Sequence, residues 1–278
     1  MEMTTKEDLV GDFGRLGICD GDTIMVHASL KAIGPVDGGP AMIVEALVDA
    51  VGQRGNLLAY VSWDRSPYEE TLNGRRLSDA EREAWPAFDP ATAGTYRGFG
   101  VLNDFICGYP GAWRSAHPDA SMAAIGPRAS ELVRPHRLGD AYGPGSPLER
   151  FVSMRGRVLM LGAPLDAVTV LHYAEALADI PDKRLVTYEM PLLDSSGKKV
   201  WRTAKEFDSN GILDCFAVEG QPDAVEQIAT DFVRLGRYRQ GRVANADCFL
   251  FDAVQLVDFG VRWLERRFGA TRQGSRAG

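Results

Sequence analysis

The feature that most constrains the fold is an order of strand, helix and strand written into residues 23 to 63. DTIMVHAS reads as a strand. AMIVEALVDAVG carries apolar residues at helical spacing, with Pro40 near its first turn and Gly52 as a stop. NLLAYVSW then reads as a second strand. A helix between two strands implies a parallel crossover, because two parallel neighbours cannot be joined by a tight turn. The alternation resumes with GFGVLNDFICGY (helix), SMAAIGP (strand), SPLERFVSMRG (helix), RVLMLGAP (strand) and DAVTVLHYAEALADI (helix). These elements predict an α/β fold with a mainly parallel central sheet flanked by helices.

Three segments depart from this rhythm. Thr4 to Leu16 reads as an opening helix, with Thr4 and Glu7 as a capping box. Residues 64 to 97 are rich in charge, proline and glycine, and predict an inserted excursion over one end of the sheet. RLVTYEMPLL and KKVWRTAKEF flank DSSG and predict a hairpin, hence an antiparallel C-terminal extension. Residues 222 to 236 and 252 to 268 read as two late helices. With no repeat or low-complexity linker, residues 1 to 268 are expected to form one domain and 269 to 278 a flexible tail.

Charge and composition exclude several functions. At 278 residues with net charge -7, the chain repels nucleic acid and anionic membrane, and favours cations. No apolar run approaches the ~20 residues of a membrane span, and MEMTTKEDLV lacks the pattern of a secretory signal, so the cytoplasm is the expected location. Cys19, Cys107, Cys215 and Cys248 stand apart without a CxxC pair, as scattered buried thiols would. There is no GxxxxGK[ST] loop, no HExxH and no GxSxG elbow, which demotes phosphate-loop enzymes, zinc proteases and α/β-hydrolases; no metal is expected.

What remains is a set of titratable residues. His172 and Glu175 are three residues apart on one helical face, with Thr169 three before His172. Spacing alone leaves two readings open: a hydrogen-bonded structural histidine, or a polar stripe facing the cleft at the carboxyl ends of parallel strands. His27 ends a strand in HASL, ahead of a Gly-rich turn whose backbone N–H groups would suit a phosphate. His117 lies in RSAHPDAS, and His136, in RPHRLG, reads as a surface residue. Asp64, Glu69 and Glu70 open the excursion, while Glu206, Asp208 and Asp214 follow the hairpin. Were the two acidic groups to meet, they would suit a polyamine or amino sugar.

The blocks HASLKAIGPVDGGP, YVSW, AFDP, RSAHPDASMAAIGP, YGPGSPLERF, LHYAE, YEMPLL and FDSNGILD, in that order, resemble the aminoglycoside 3-N-acetyltransferases over about residues 5 to 265. SWDRSPYEE with WPAFDP looks like the branch acting on gentamicin-type substrates. The resemblance implies acetyl-CoA as cosubstrate and the 3-amine of the 2-deoxystreptamine ring as acceptor, hence resistance to the drug. It implies a fold distinct from the larger acetyltransferase superfamily, whose [QR]xxGx[GA] loop RGFGVL fails at its last position. By position it makes His172 the general base, with Glu175 as its orienting partner and Glu206 or Asp208 as competitors. His27, Ser29, Leu30, Lys31 and the loop through Val36 resemble the CoA contacts, and Ser115, His117 and Ser121 a second CoA-side wall. Asp64, Tyr68, Glu69, Glu206, Asp208 and Asn210 are the expected aminoglycoside contacts. Two other classes stay open: a non-catalytic acidic-cleft protein that sequesters cations, and an acyl-CoA N-acyltransferase for another amine.

Overall fold

The computed structural model describes residues 3–181, 183–207 and 220–269. After helix α1 (Lys6–Leu16) come β1 (Thr23–Ala28), α2 (Leu30–Ile33), α3 (Gly39–Val51) and β2 (Asn56–Tyr60). The excursion holds α4 (Tyr68–Thr71) and α5 (Asp79–Ala84). Then follow α6 (Leu102–Cys107), β3 (Trp113–Arg114), β4 (Met122–Ile125), α7 (Ala129–Val133), α8 (Pro147–Ser153), β5 (Arg157–Leu161) and α9 (Leu171–Leu177). The hairpin β6 (Leu185–Leu193) and β7 (Lys199–Phe207) precedes α10 (Ala224–Arg234), β8 (Arg239–Val243), β9 (Ala246–Asp252) and α11 (Ala253–Phe268).

The central sheet has the order β3-β4-β2-β1-β5-β9-β8. Its centre is parallel, with β1 between β2 and β5, and antiparallel β4 and β9 pair on either side. β3 and β8, antiparallel to β4 and β9, therefore run in the same direction as the centre. Side chains alternate across the strands. Met25, Leu58, Val158 and Met160 enter the core layer shared with α9 and α11, whereas Ile24, Val26, Leu57, Leu159 and Leu161 enter the layer under α1, α3 and α6. Burial on both faces is why these strands read as unbroken apolar runs.

Some boundaries differ from the sequence reading. The capping box is Thr5 with Asp8, one residue later than Thr4 with Glu7, and Gly17 closes α1 in a left-handed conformation. The first part of the excursion sits on the β6–β7 hairpin, where Thr71 bonds the backbone of Glu189, Arg82 pairs with the Glu189 carboxylate and Phe88 bridges to Leu192. Its return lies at the sheet end, with Tyr96 N–H donating to the Val61 carbonyl just past β2. The hairpin itself forms as expected, its Asp194 side chain accepting from the backbone N–H groups of Ser196 and Lys198. β8 went unread because its RQGRV pattern is that of a mostly exposed edge strand. Of the described thiols Cys248 is buried, but Cys19 is exposed. Cys215 and residues 270–278 lie outside the described residues.

Candidate active site

The loops that leave β1, β2 and β5 at their carboxyl ends surround a cleft of about 710 Å³. This is the edge at which open α/β sheets bind ligands. His27 to Lys31 form one wall, Tyr60 and the Gly98–Val101 turn a second, and Ala163 to Thr169 with His172 and Asp223 a third. Two strand ends aim polar side chains into it. His27 follows Met25, and Tyr60 follows Leu58, on the sheet face covered by α9.

α9 supplies the facing group. Only Leu171–Leu177 is helical, so Thr169 stands on the turn before it rather than on the helix, yet it lines the same cleft. Leu171, Tyr173 and Ala174 anchor the helix in the core. His172 is left on the open side with 26% of its side chain exposed, while Glu175 has none. His172 Nδ1 lies 2.8 Å from Glu175 Oε2. The ionised carboxylate accepts from Nδ1–H, which leaves Nε2 as the unprotonated atom of a neutral ring. Burial opposes charge on His172, but Glu175 and, further off, Asp223 outweigh it and hold the imidazole pKa above its ordinary value. Burial likewise pushes the Glu175 carboxyl upward, against His172.

The imidazole is packed by a ring the sequence reading did not single out. Tyr142 lies 5.0 Å from it between centroids, and the Tyr142 and Tyr60 hydroxyls are 2.6 Å apart. Tyr60 donates to the Asp119 carbonyl at 3.2 Å, so Tyr142 donates to Tyr60. Asn103 fixes the turn beside them by donating to the carbonyls of Tyr60 and Phe99. Tyr60 and Tyr142 stand in the blocks YVSW and YGPGSPLERF, but an aromatic at a strand end looks like core until the third dimension is known.

The expected cofactor contacts divide. His27, Ser29, Leu30 and Lys31 line the cleft. Ser29 caps α2, accepting from Ala32 N–H, so this turn is a short helix and not an open phosphate cradle. Val36 is instead buried with the α1 and α3 core. Ser115, His117 and Ser121 do not form a second wall of the cleft, because all three are fully buried and bonded inward. Ser121 accepts from the Arg114 guanidinium, Ser115 accepts from Met122 N–H, and His117 Nδ1 accepts from Ala120 N–H. His136, expected at the surface, is buried and stacked on His117 at 4.9 Å. Its Nε2 donates toward the carbonyls of Asp140 and Ala141, so Nδ1 accepts from Ser115.

The expected acceptor contacts divide as well. Asp64 and Glu69 are exposed on the excursion. Tyr68 is buried and packs on Tyr188 at 4.9 Å. Glu206 is a largely buried anchor: one oxygen accepts from Ala141 N–H at 2.9 Å, the other from the Tyr188 hydroxyl, with His117 3.7 Å away. Burial opposes its charge, but His117 and these donors hold its carboxyl below the ordinary value. Glu206 also lines a smaller cavity of about 200 Å³ behind Tyr142. Asp119 lies nearby, and burial pushes its carboxyl upward against a hydrogen bond from Ser66. Asp208, Asn210 and Asp214 lie outside the described residues. Asp166 and Asp223 are acids of the cleft wall that sequence reading missed; Asp223 looks there like an ordinary helix cap, and it caps α10.

Comparison with known proteins adds independent observations. A family model described as aminoglycoside 3-N-acetyltransferase matches residues 25–265. An aminoglycoside N(3)-acetyltransferase III of Salmonella sp is 62% identical over 269 residues, covering 97% of this chain and 94% of the relative. The crystal structure of aminoglycoside acetyltransferase AAC(3)-IIb superposes with a TM-score of 0.94 at 61% identity, covering 97% of this chain and all of that one. AAC-IIIb, solved as a binary complex with CoASH, superposes at 0.90 with 41% identity, covering 97% of this chain and 99% of that one.

Proposed function

The chain belongs to the aminoglycoside 3-N-acetyltransferase family, and from that premise we propose that His172, oriented by Glu175, is the base that frees the drug amine to attack acetyl-CoA. The enzyme is an acyltransferase that moves the acetyl group of acetyl-CoA to an aminoglycoside. The acceptor atom is the 3-amino nitrogen of the 2-deoxystreptamine ring, and loss of that positive charge confers resistance. The cytoplasm, where acetyl-CoA is made, is the site of the reaction. No helix among the described residues is long and apolar enough to cross a membrane.

The observation that carries the mechanism is the buried Glu175 carboxylate on Nδ1 of an imidazole whose other side opens on the cleft. An amine attacks a thioester only as the free base, and an imidazole is the side chain matched to that proton near neutral pH. Glu175 fixes the tautomer and stabilises the imidazolium as it forms. The thioester approaches along His27 to Lys31, and transfer is direct. Among the described residues no cysteine lines the cleft, and its Ser29 and Thr169 hydroxyls are engaged with the backbone: Ser29 caps α2 and Thr169 bonds Ala167. Asp64, Glu69 and the acids around the hairpin attract the remaining ammonium groups, with Asp208 and Asn210 among the contacts.

The test is thiol release over a panel of aminoglycosides, with product mass and acetylated position determined. The account predicts release only when acetyl-CoA and an aminoglycoside are both present, and a product carrying one acetyl group on the 3-amine. Acetylation at another nitrogen, or calorimetric binding without thiol release, would contradict it.

A further inference from the structure

Ser29 aside, whose hydroxyl caps α2, every neutral side-chain donor but one among the described residues of the cleft wall is already committed to the protein. Tyr60 donates to the Asp119 carbonyl, Tyr142 to Tyr60, Asn103 to the carbonyls of Tyr60 and Phe99, and Thr169 to the Ala167 carbonyl. His27 is the exception. It lines the cleft at the end of the central strand, on the face that α9 covers, and its Nε2 is buried without a hydrogen-bond partner. A buried nitrogen without a partner is destabilising, so its retention needs a reason. A partner that arrives with the ligand would be one.

We propose that His27 is a second catalytic residue, whose neutral ring donates an N–H to the thioester carbonyl oxygen of acetyl-CoA and holds the oxyanion formed on attack. This rests on the acetyltransferase reading above. The amine lone pair forms the C–N bond while the carbonyl π pair moves onto oxygen, and His172 takes the nitrogen proton. On collapse the pair returns to the carbon, the C–S bond breaks, and His172 passes its proton to the departing sulfur. His27 keeps its own proton throughout.

The two imidazoles are suited to different tasks. Burial, helped by the charge of His172, pushes the His27 pKa down to about 4, whereas Glu175 holds His172 up. One ring is thus neutral at the pH where the other takes a proton, the separation expected of an electrophile beside a base.

The test compares His27→Ala and His27→Gln with the wild type for kcat, for KM and for the affinity of CoASH, which lacks the acetyl carbonyl. Losing the donor in His27→Ala should lower kcat ~10²- to 10³-fold. His27→Gln, which restores an N–H, should recover part of that rate. CoASH affinity should stay within about three-fold in both, and the acid limb of the pH profile, set by His172, should persist in His27→Gln. Retained kcat in a folded His27→Ala, or CoASH affinity lost in step with kcat/KM, would overturn the proposal. Should His27→Ala fail to fold, a kcat of His27→Leu equal to that of His27→Gln would overturn it as well. A wild type that transfers no acetyl group would refute the acetyltransferase reading instead, so the two failures are distinguishable.

Discussion

Glu175 shows what the site asks of a single residue. Its carboxylate has no exposed surface, one oxygen bonds His172, and the other is buried without a partner. Such a group is costly to keep unless its charge is used on the imidazole. Because Glu175 raises the His172 pKa, kcat/KM in the wild type should fall as the pH drops through a value above the usual ~6.5. In Glu175→Gln the acid limb should move to lower pH and kcat should drop ~10²-fold or more, since the tautomer is no longer enforced. An unmoved limb would show that another group titrates. His27 acts in the opposite sense on stability. Its folded pKa lies below the unfolded one, so the unfolded chain binds the proton first, and stability present above pH ~6.5 is lost as pH falls toward about 4. Thermal unfolding between these values should therefore decline less steeply for His27→Gln than for the wild type. At this scale spacing puts His172 and Glu175 on one helical face, while the role proposed for them comes from the resemblance of LHYAE. The inward bonding of Ser115, His117 and Ser121 could not be read from the sequence, because a hydroxyl facing a ligand and one facing a backbone N–H have the same letter.

α9 is held in place by its neighbour. Gly260 of α11 comes so close that a Cβ there would stand 2.9 Å from the Ala174 Cβ and 3.0 Å from Leu171. Leu171 precedes His172 and Ala174 precedes Glu175 on the same short helix. Gly260→Val should overpack this contact at a cost of ~1 to 3 kcal/mol, read as a lower Tm, and lower kcat more than it changes CoASH affinity. A variant with wild-type Tm and kcat would show that α9 tolerates displacement. The elements themselves were largely visible beforehand. Apolar runs over TIMVHA, NLLAY and RVLML identified the parallel centre, and DSSG identified the hairpin. What stayed hidden was placement: scattered apolar residues of the excursion such as Tyr68, Leu72 and Phe88 follow no sustained period, and only contacts such as Tyr68 with Tyr188 and Arg82 with Glu189 show that it rests on the hairpin.

For the whole molecule, the sheet gathers three strand ends into one cleft while the net charge of -7 surrounds it with a field that draws cations. Because the acceptor is polycationic, kcat/KM for the aminoglycoside should fall as salt is raised from 0.01 M to 0.5 M, across which screening shortens severalfold. An unchanged value would mean that contacts alone govern capture. The central claim is that the imidazole of His172 performs the proton transfer. Its most direct test is the single-turnover rate of acetyl transfer in His172→Ala, measured beside CoASH affinity. The account predicts a rate ~10²- to 10⁴-fold below wild type with CoASH affinity little changed; a rate near that of the wild type in the folded variant would contradict it.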